Sequence, residues 1–204
     1  MKRRGYRQVR RAEAAEATRR RIVESTFALH GEQGIGATTM TQIAARAGVS
    51  VGSVYKHFPT YDDVVAACTE HASAVIVPAG TAGFDACTTL ADRVRGLVAE
   101  IFGFYERAVR FEEIRAEQDR FAALRPFFAA EERHRLALTR AALAPFAIDR
   151  PTTDVVAALL DGAVWGSLRR SGLSQSGAIE AIAEFLLPRL SAAGAPSSRR
   201  RRPR

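Results

Sequence analysis

The sequence predicts an all-α protein, in which an N-terminal three-helix helix-turn-helix domain precedes a larger helical domain. Three observations predict it. Apolar residues recur three and four apart through most of the chain, and no segment sustains the alternation of a strand. Residues 38–59, TTMTQIAARAGVSVGSVYKHFP, read as two short helices about a glycine-containing turn. Basic charge gathers at the two ends of the chain, around a mildly acidic middle.

The charge can be located closely. Residues 1–60 carry 11 Lys/Arg against 4 Asp/Glu, residues 61–195 carry 14 against 18, and residues 196–204 add five arginines, for a net charge of +8. A basic module beside an acidic one points to a polyanion partner for the first, although arginines on solvated faces give the same composition. Hydrophobic residues make up 47% of the 204, enough for a buried core. No apolar stretch approaches the roughly 20 residues of a membrane span; Asp161 breaks the run from Val155 to Trp165. The basic N-terminus is not followed by the apolar stretch of a secretory signal. Cys68 and Cys87 make no disulfide framework, which fits a reduced cytoplasm.

Residues 1–17 read as a flexible basic arm with Lys2, Arg3, Arg4, Arg7, Arg10 and Arg11. A helix is expected over Thr18–Glu32, with Ile22, Phe27 and Leu29 on overlapping faces and Gly31 and Gly34 at its end. Thr39-Met-Thr-Gln42 has the form of a capping box, in which the Thr oxygen accepts the backbone N–H three residues on and the Gln reaches back. That helix runs through Arg46, and Gly48 is free to take positive φ in the turn that follows. Ser50 caps a second helix through His57, which Pro59 stops. Thr60 caps a longer helix, with Asp62 and Asp63 in its first turn.

Pro78, Gly80 and Gly83 mark a loop. Leu90, Val94, Leu97, Val98, Ile101, Phe102 and Tyr105 then form one apolar stripe. Helical pieces follow over 111–119 and 121–144, with Pro126 as a start or kink. After a connection from Pro145 to Pro151, Thr152 or Thr153 caps a helix reaching about residue 171, and a last helix spans about 175–191. Residues 193–204 read as a disordered basic tail.

In the 38–59 window, Ile43, Ala44, Ala47, Val49 and Val54 are spaced to pack one helix across the other. The second helix then exposes Ser50, Val51, Gly52, Ser53 and Lys56, with Tyr55 and His57 on its flank. Small residues at the front of such a helix let it sit deep in a major groove. Val51 suits a thymine methyl, and Ser53 suits several acceptors.

On Thr39, Ile43-Ala44, Ala47-Gly48-Val49-Ser50, Gly52-Ser53-Val54-Tyr55 and His57-Phe58, about the first 70 residues resemble the TetR family, the tetracycline-repressor-like regulators. Beyond them the resemblance is one of layout. It implies that Thr39 meets a phosphate through its hydroxyl and backbone N–H. Ser50, Val51, Gly52, Ser53 and Lys56 face the groove, and Tyr55 and His57 hold backbone phosphates. A core aromatic remains the competing reading for Tyr55, and a plain helix-end histidine for His57. Phe58 belongs to the core. The family usually carries a Lys where this chain has Tyr61, so that contact keeps a donor without a charge. Arg19, Arg20 and Arg21 oppose the dipole of the first helix; a nearby phosphate explains them, and so does simple solvation. The arms Lys2–Arg11 and Arg199–Arg204 read as non-specific DNA contacts, the second also as a solubilising tail.

The expected DNA-binding domain is 18–63, and the expected ligand-binding and dimerisation domain is 64–192. Val156, Leu160, Val164 and Leu168 on one helix, and Ile179, Ile182 and Leu186 on the last, are the candidates for a four-helix homodimer interface. Candidates for an effector pocket are Phe102, Phe104, Tyr105, Phe121, Phe127, Phe128 and Trp165, each of which could equally be plain core.

Two other patterns carry little. Glu131-x-x-His134 has di-iron spacing, but no other histidine has a Glu three residues before it. Cys68 and His71 lie three apart without a third group to orient them. No metal, cofactor or enzymatic activity is expected. The expected protein is a cytoplasmic homodimeric repressor, released from a pseudo-palindromic double-stranded DNA operator by a small hydrophobic or aromatic effector. An activator or partner-controlled regulator is one alternative, and a non-specific polyanion-binding helical protein is another.

Overall fold

The computed structural model describes residues 2–193, with side chains from Tyr6 onward. The described residues form ten α-helices: α1 (Lys2–Gln33), α2 (Met40–Ala47), α3 (Val51–His57), α4 (Tyr61–Val75), α5 (Leu90–Arg107), α6 (Phe111–Ala116), α7 (Arg125–Leu143), α8 (Arg150–Leu159), α9 (Gly162–Arg170) and α10 (Gln175–Ala193). No strand occurs among them, and no described helix is long and apolar enough to cross a membrane. The tail from residue 194, with Arg199–Arg204, lies outside the described residues.

The chain divides into two compact units, Met1–Val77 with Val109–Ala129, and Pro78–Ala108 with Ala130–Arg204. The boundary expected after residue 63 falls inside α4, which stays whole within the first unit. The segment 109–129 also joins that unit.

In the first unit, α1, α2, α3 and α4 close around one core: Ile22, Val23, Leu29, Met40, Ile43, Ala44, Ala47, Val54, Phe58, Val64 and Ala67. The expected caps are all present. Thr39 and Thr60 each form a capping box, with Gln42 and Asp63, and Ser50 accepts from the Ser53 N–H. Gly48 sits at φ 64°, the left-handed conformation that the tight turn between α2 and α3 requires. One expectation is corrected. The stretch 1–17, read as a flexible arm, is helical from Lys2 and continuous with the rest of α1. No proline interrupts it, and Glu13, Ala14, Ala15, Glu16 and Ala17 are strong helix formers.

In the second unit, α5 lays its stripe of Val94, Leu97, Val98, Ile101, Phe102 and Tyr105 fully inside, against α9 and α10. The loop before it is pinned to α5 at one point of closest approach: a Cβ on Gly96 would lie 1.9 Å from the Gly83 carbonyl oxygen. Buried Arg93 ties the same loop to the end of α7. It donates to the carbonyls of Phe84 (2.9 Å), Cys87 (3.1 Å), Ala142 (2.8 Å) and Ala141 (3.2 Å).

The helix expected from Thr152 or Thr153 to about residue 171 is two helices. Asp149, not a threonine, caps α8, with Pro151 in the first turn, where it needs no N–H partner. Leu160 and Asp161 break the run, and Asp161 caps α9 by accepting from the Ala163 N–H at 3.0 Å. An Asp inside an apolar run thus marks a new helix start.

Candidate nucleic-acid interface

The outward edge of α3 is the first feature to build. Its seven residues bury Val54, and Phe58 follows it into the core at 3% exposure. Anchoring that side turns the other side out. Ser50, Gly52, Tyr55 and Lys56 are exposed, while Val51, Ser53 and His57 are half-buried. Tyr55 is 50% exposed, so the core reading of its ring does not hold.

Gly52 is informative. Its φ is not positive, and a Cβ there would meet nothing nearer than the Ser50 Oγ at 4.0 Å. Neither packing nor backbone conformation calls for glycine in this first turn, where alanine would favour the helix by about 0.5–1 kcal/mol. The missing side chain therefore leaves open space for something outside the protomer.

Around this edge the scaffold is tied down. Arg46 on α2 forms an ion pair with Glu32 at the end of α1 through both guanidinium nitrogens. The pair depresses the Glu32 carboxyl, with the Arg46 hydrogen bond as the largest cause. Gln33 Nε2 donates to the Ala37 carbonyl (3.0 Å), the Thr38 hydroxyl (3.2 Å) and Gln42 Oε1 (3.2 Å), closing the loop onto α2. Gln42 Oε1 also takes the Thr39 N–H and hydroxyl, each at 2.9 Å. Both Thr39 groups expected to meet a phosphate are thus already held by Gln42. Any anion at this exposed helix start has to displace it or use the N–H groups of Met40 and Thr41.

Two other expected contacts sit differently. Arg19 is half-buried, with its guanidinium 5.1 Å from the Phe58 ring centroid, and Arg20 and Arg21 are exposed. Tyr61 points inward. Its hydroxyl donates to the Ile35 carbonyl at 2.7 Å and lies 3.0 Å from His30 Nε2, and its ring meets Phe121 edge-on at 5.7 Å. The phosphate role expected for Tyr61 is corrected on this geometry: its one donor is spent inside the unit.

Tyr61 ends a chain of buried polar groups that sequence reasoning did not foresee. Since its O–H serves Ile35, His30 Nε2 carries the proton that it accepts, and His30 Nδ1 is left to accept from the Cys68 thiol at 3.5 Å. All three groups stay neutral. Burial lowers the His30 imidazole to about 4 and pushes Cys68 and Tyr61 each up to about 12. Cys68 therefore faces His30 rather than His71, which packs edge-on against Phe27 at 5.3 Å.

The aromatic candidates fall in separate units. Phe121, Phe127 and Phe128 belong to the first, where Phe128 meets Phe111 at 5.2 Å and Phe127 at 5.2 Å. Phe102, Phe104, Tyr105 and Trp165 belong to the second. There Tyr105 contacts Phe104 at 5.3 Å and Trp165 at 6.1 Å, and its hydroxyl donates to Glu131 Oε1 at 2.7 Å. Burial first, and the Glu131 carboxylate second, hold this phenol well above its ordinary range, so it remains a donor. Glu131 and His134 do not act together: His134 Nε2 lies 2.7 Å from the Ala79 carbonyl.

Among the candidates for subunit pairing, Val156, Leu160, Ile182 and Leu186 are buried within the protomer and present no surface to a partner. Val164, Leu168 and Ile179 are half-buried. Val155 on α8 and Phe185 on α10, not among those candidates, are 58% and 68% exposed.

Residues 22–68 match the family model described as bacterial regulatory proteins, tetR family. The chain is 45% identical over 47 residues to the HTH-type transcriptional regulator SrpR of Pseudomonas putida, a match covering 23% of this chain and 22% of that regulator. Two solved structures of the multidrug binding protein EbrR resemble nearly the whole chain. The imidazole complex is 27% identical with TM-score 0.59, covering 88% of this chain and 92% of EbrR. The proflavin complex is 28% identical with TM-score 0.60, covering 85% and 99%. A transcriptional regulator from Rhodococcus sp. Rha1, at 17% identity and TM-score 0.63 over 87% and 98%, shares the fold.

Proposed function

The chain belongs to the TetR family of DNA-binding transcriptional regulators, and from that premise we propose that it is a homodimeric repressor released from its operator by a small aromatic effector. The observation that carries the DNA part is the open space at Gly52 on the outward edge of α3. In this reading Ser50, Val51, Gly52 and Ser53 approach the base edges, with Lys56 beside them, and Tyr55 and His57 rest on the phosphates. Thr39 and Arg19 are secondary contacts, since each already has a partner within the unit.

One short helix reads few base pairs, so a two-fold pair of α3 helices, about one duplex turn or ~34 Å apart, supplies the discrimination. The subunits pair through α8, α9 and α10, with exposed Val155 and Phe185 joining Val164, Leu168 and Ile179 in the contact. The first unit carries the DNA interface and the second the effector site. EbrR, a multidrug binding protein solved with imidazole and with proflavin, supports an aromatic small molecule as the effector. Such a ligand acts by binding more tightly to the conformer that does not fit the operator.

Genomic fragments retained by the purified protein identify the operator. Against scrambled duplex at ~0.15 M salt the expected preference exceeds about 10³. A ratio near one would instead describe a non-specific polyanion binder.

A further inference from the structure

The first helix continues well past the core that holds it. It begins at Lys2, yet its first buried residue is Ile22. Every residue from 6 to 17 is exposed, so about three turns of helix stand clear of the unit.

The charge on this stretch is segregated. Residues 2–11 carry six Lys/Arg and no Asp/Glu. At ~100° per residue, Arg7, Arg10 and Arg11 share an arc of about 100°, and Glu13 and Glu16 are centred about 140° away from it. The Arg10 guanidinium lies 5.9 Å from the Tyr6 ring centroid, at one edge of that arc. In water the arrangement is unfavourable. Arg7 faces Arg10 and Arg11 as like charges three and four residues on, and the first turn holds no acidic residue to meet the helix dipole. The stretch is helical as a continuation of the packed part of α1, which needs no new nucleus. A row of phosphates turns the repulsion into attraction.

The position of the stretch suits such a row. Arg19 places its guanidinium 5.1 Å from the ring centroid of Phe58, the residue that closes α3. The extension thus leaves the unit beside the end of α3, and Arg11 to Arg7 stand about 12–18 Å further along the axis. Phosphates met there are additional to those beside Tyr55 and His57.

We propose that residues 6–17 of α1 form a rigid basic rod, whose Arg7, Arg10 and Arg11 bind backbone phosphates of the duplex next to the half-site. The proposal rests on α3 entering that duplex, and it adds a second, sequence-independent surface to the same partner. A rod differs from a loose arm of equal charge because the helix holds its arginines in one row before DNA arrives, so less order is lost on binding.

Three full-length proteins test this on the retained operator: the wild type, a variant combining Arg7→Gln, Arg10→Gln and Arg11→Gln, and Ala15→Pro. Glutamine removes the charge and keeps the helix. Proline keeps every charge and breaks the helix between the arginines and the packed part of α1. All these positions are exposed, so both variants should unfold at the wild-type temperature. The glutamine variant should bind about 10-fold or more weaker at ~0.15 M salt, with a slope of log K against log salt shallower by about 2–3 per subunit. Ala15→Pro should weaken binding about 5-fold or more despite its full charge. An unchanged salt slope in the glutamine variant overturns the proposal; a change in its oligomeric state at the same time would assign the helix to a second copy. Wild-type affinity in Ala15→Pro also overturns it, since a loose arm then suffices. A wild type that does not prefer the operator to scrambled duplex sinks the reading of α3 instead, and the salt slopes on either duplex still decide the rod.

Discussion

Each unit of the molecule buries a polar cluster, and the two clusters are built on opposite plans. In the first, Cys68, His30, Tyr61 and the Ile35 carbonyl form a line in which every donor finds an acceptor and every side chain is neutral. In the second, Arg135 pairs with Glu131 and Asp161 beside Tyr105, and two buried atoms, Glu131 Oε2 and Trp165 Nε1, find no hydrogen-bond partner. A closed neutral line needs nothing from outside and holds α1 against α4. An open charged cluster is complete only when something else supplies the missing partners. In the proposed function the first plan suits a frame that presents α3, and the second suits the unit assigned to the effector.

The largest effect should come from breaking the charged cluster. Arg135→Met leaves Glu131 and Asp161 buried without their guanidinium and should cost about 3–5 kcal/mol in urea unfolding. A loss under about 1 kcal/mol would mean that the cluster is solvated.

The neutral line is broken by acid. The folded-state pKa of His30 lies below its unfolded value, so its contribution is present above pH 6.5 and is lost as the pH falls toward about 4. The shift amounts to about 3 kcal/mol over that window. In His30→Gln this part of the pH slope should vanish; an identical slope in the variant would show that other groups carry it.

Tyr61→Phe strands the Ile35 carbonyl and His30 Nε2 and should cost about 1–3 kcal/mol. Operator affinity at a temperature where the variant is folded should be unchanged, because the hydroxyl faces inward. A clear loss of affinity would restore Tyr61 to the DNA surface.

Tyr105→Phe should cost less, about 0.5–1.5 kcal/mol in urea unfolding, since Arg135 still donates to Glu131 Oε1; a loss above about 3 kcal/mol would mean that the hydroxyl holds the cluster together.

What could be read from the chain was local. Thr39 with Gln42, Gly48, Ser50, and Thr60 with Asp63 lie within four residues of the groups they satisfy, so spacing alone identified the turns and caps of the first unit. The apolar stripe of α5 was legible for the same reason. Tyr61 was misread because its hydroxyl partner lies 26 residues away, and the contact of Cys68 with His30, 38 residues apart, was beyond the reach of local spacing. Asp161 was read only as a break in an apolar run: its cap on α9 is local, two residues on, but its tie to Arg135, 26 residues away, depends on helices meeting in space. The pairing candidates failed in part because an apolar stripe does not say which neighbour covers it; Val156, Leu160, Ile182 and Leu186 pack within their own protomer. The first helix was cut short because arginine was read as a sign of an arm, although it is a good helix former.

The most direct test of the account is Gly52→Leu, measured for unfolding and for operator binding side by side. The side chain enters space that holds no protein atom nearer than the Ser50 Oγ to its Cβ, so stability should be unchanged or slightly higher. Binding to the retained operator should fall by about 100-fold or more, as the added side chain meets the groove floor. Wild-type affinity in a stable Gly52→Leu protein would mean that this edge of α3 does not enter the duplex.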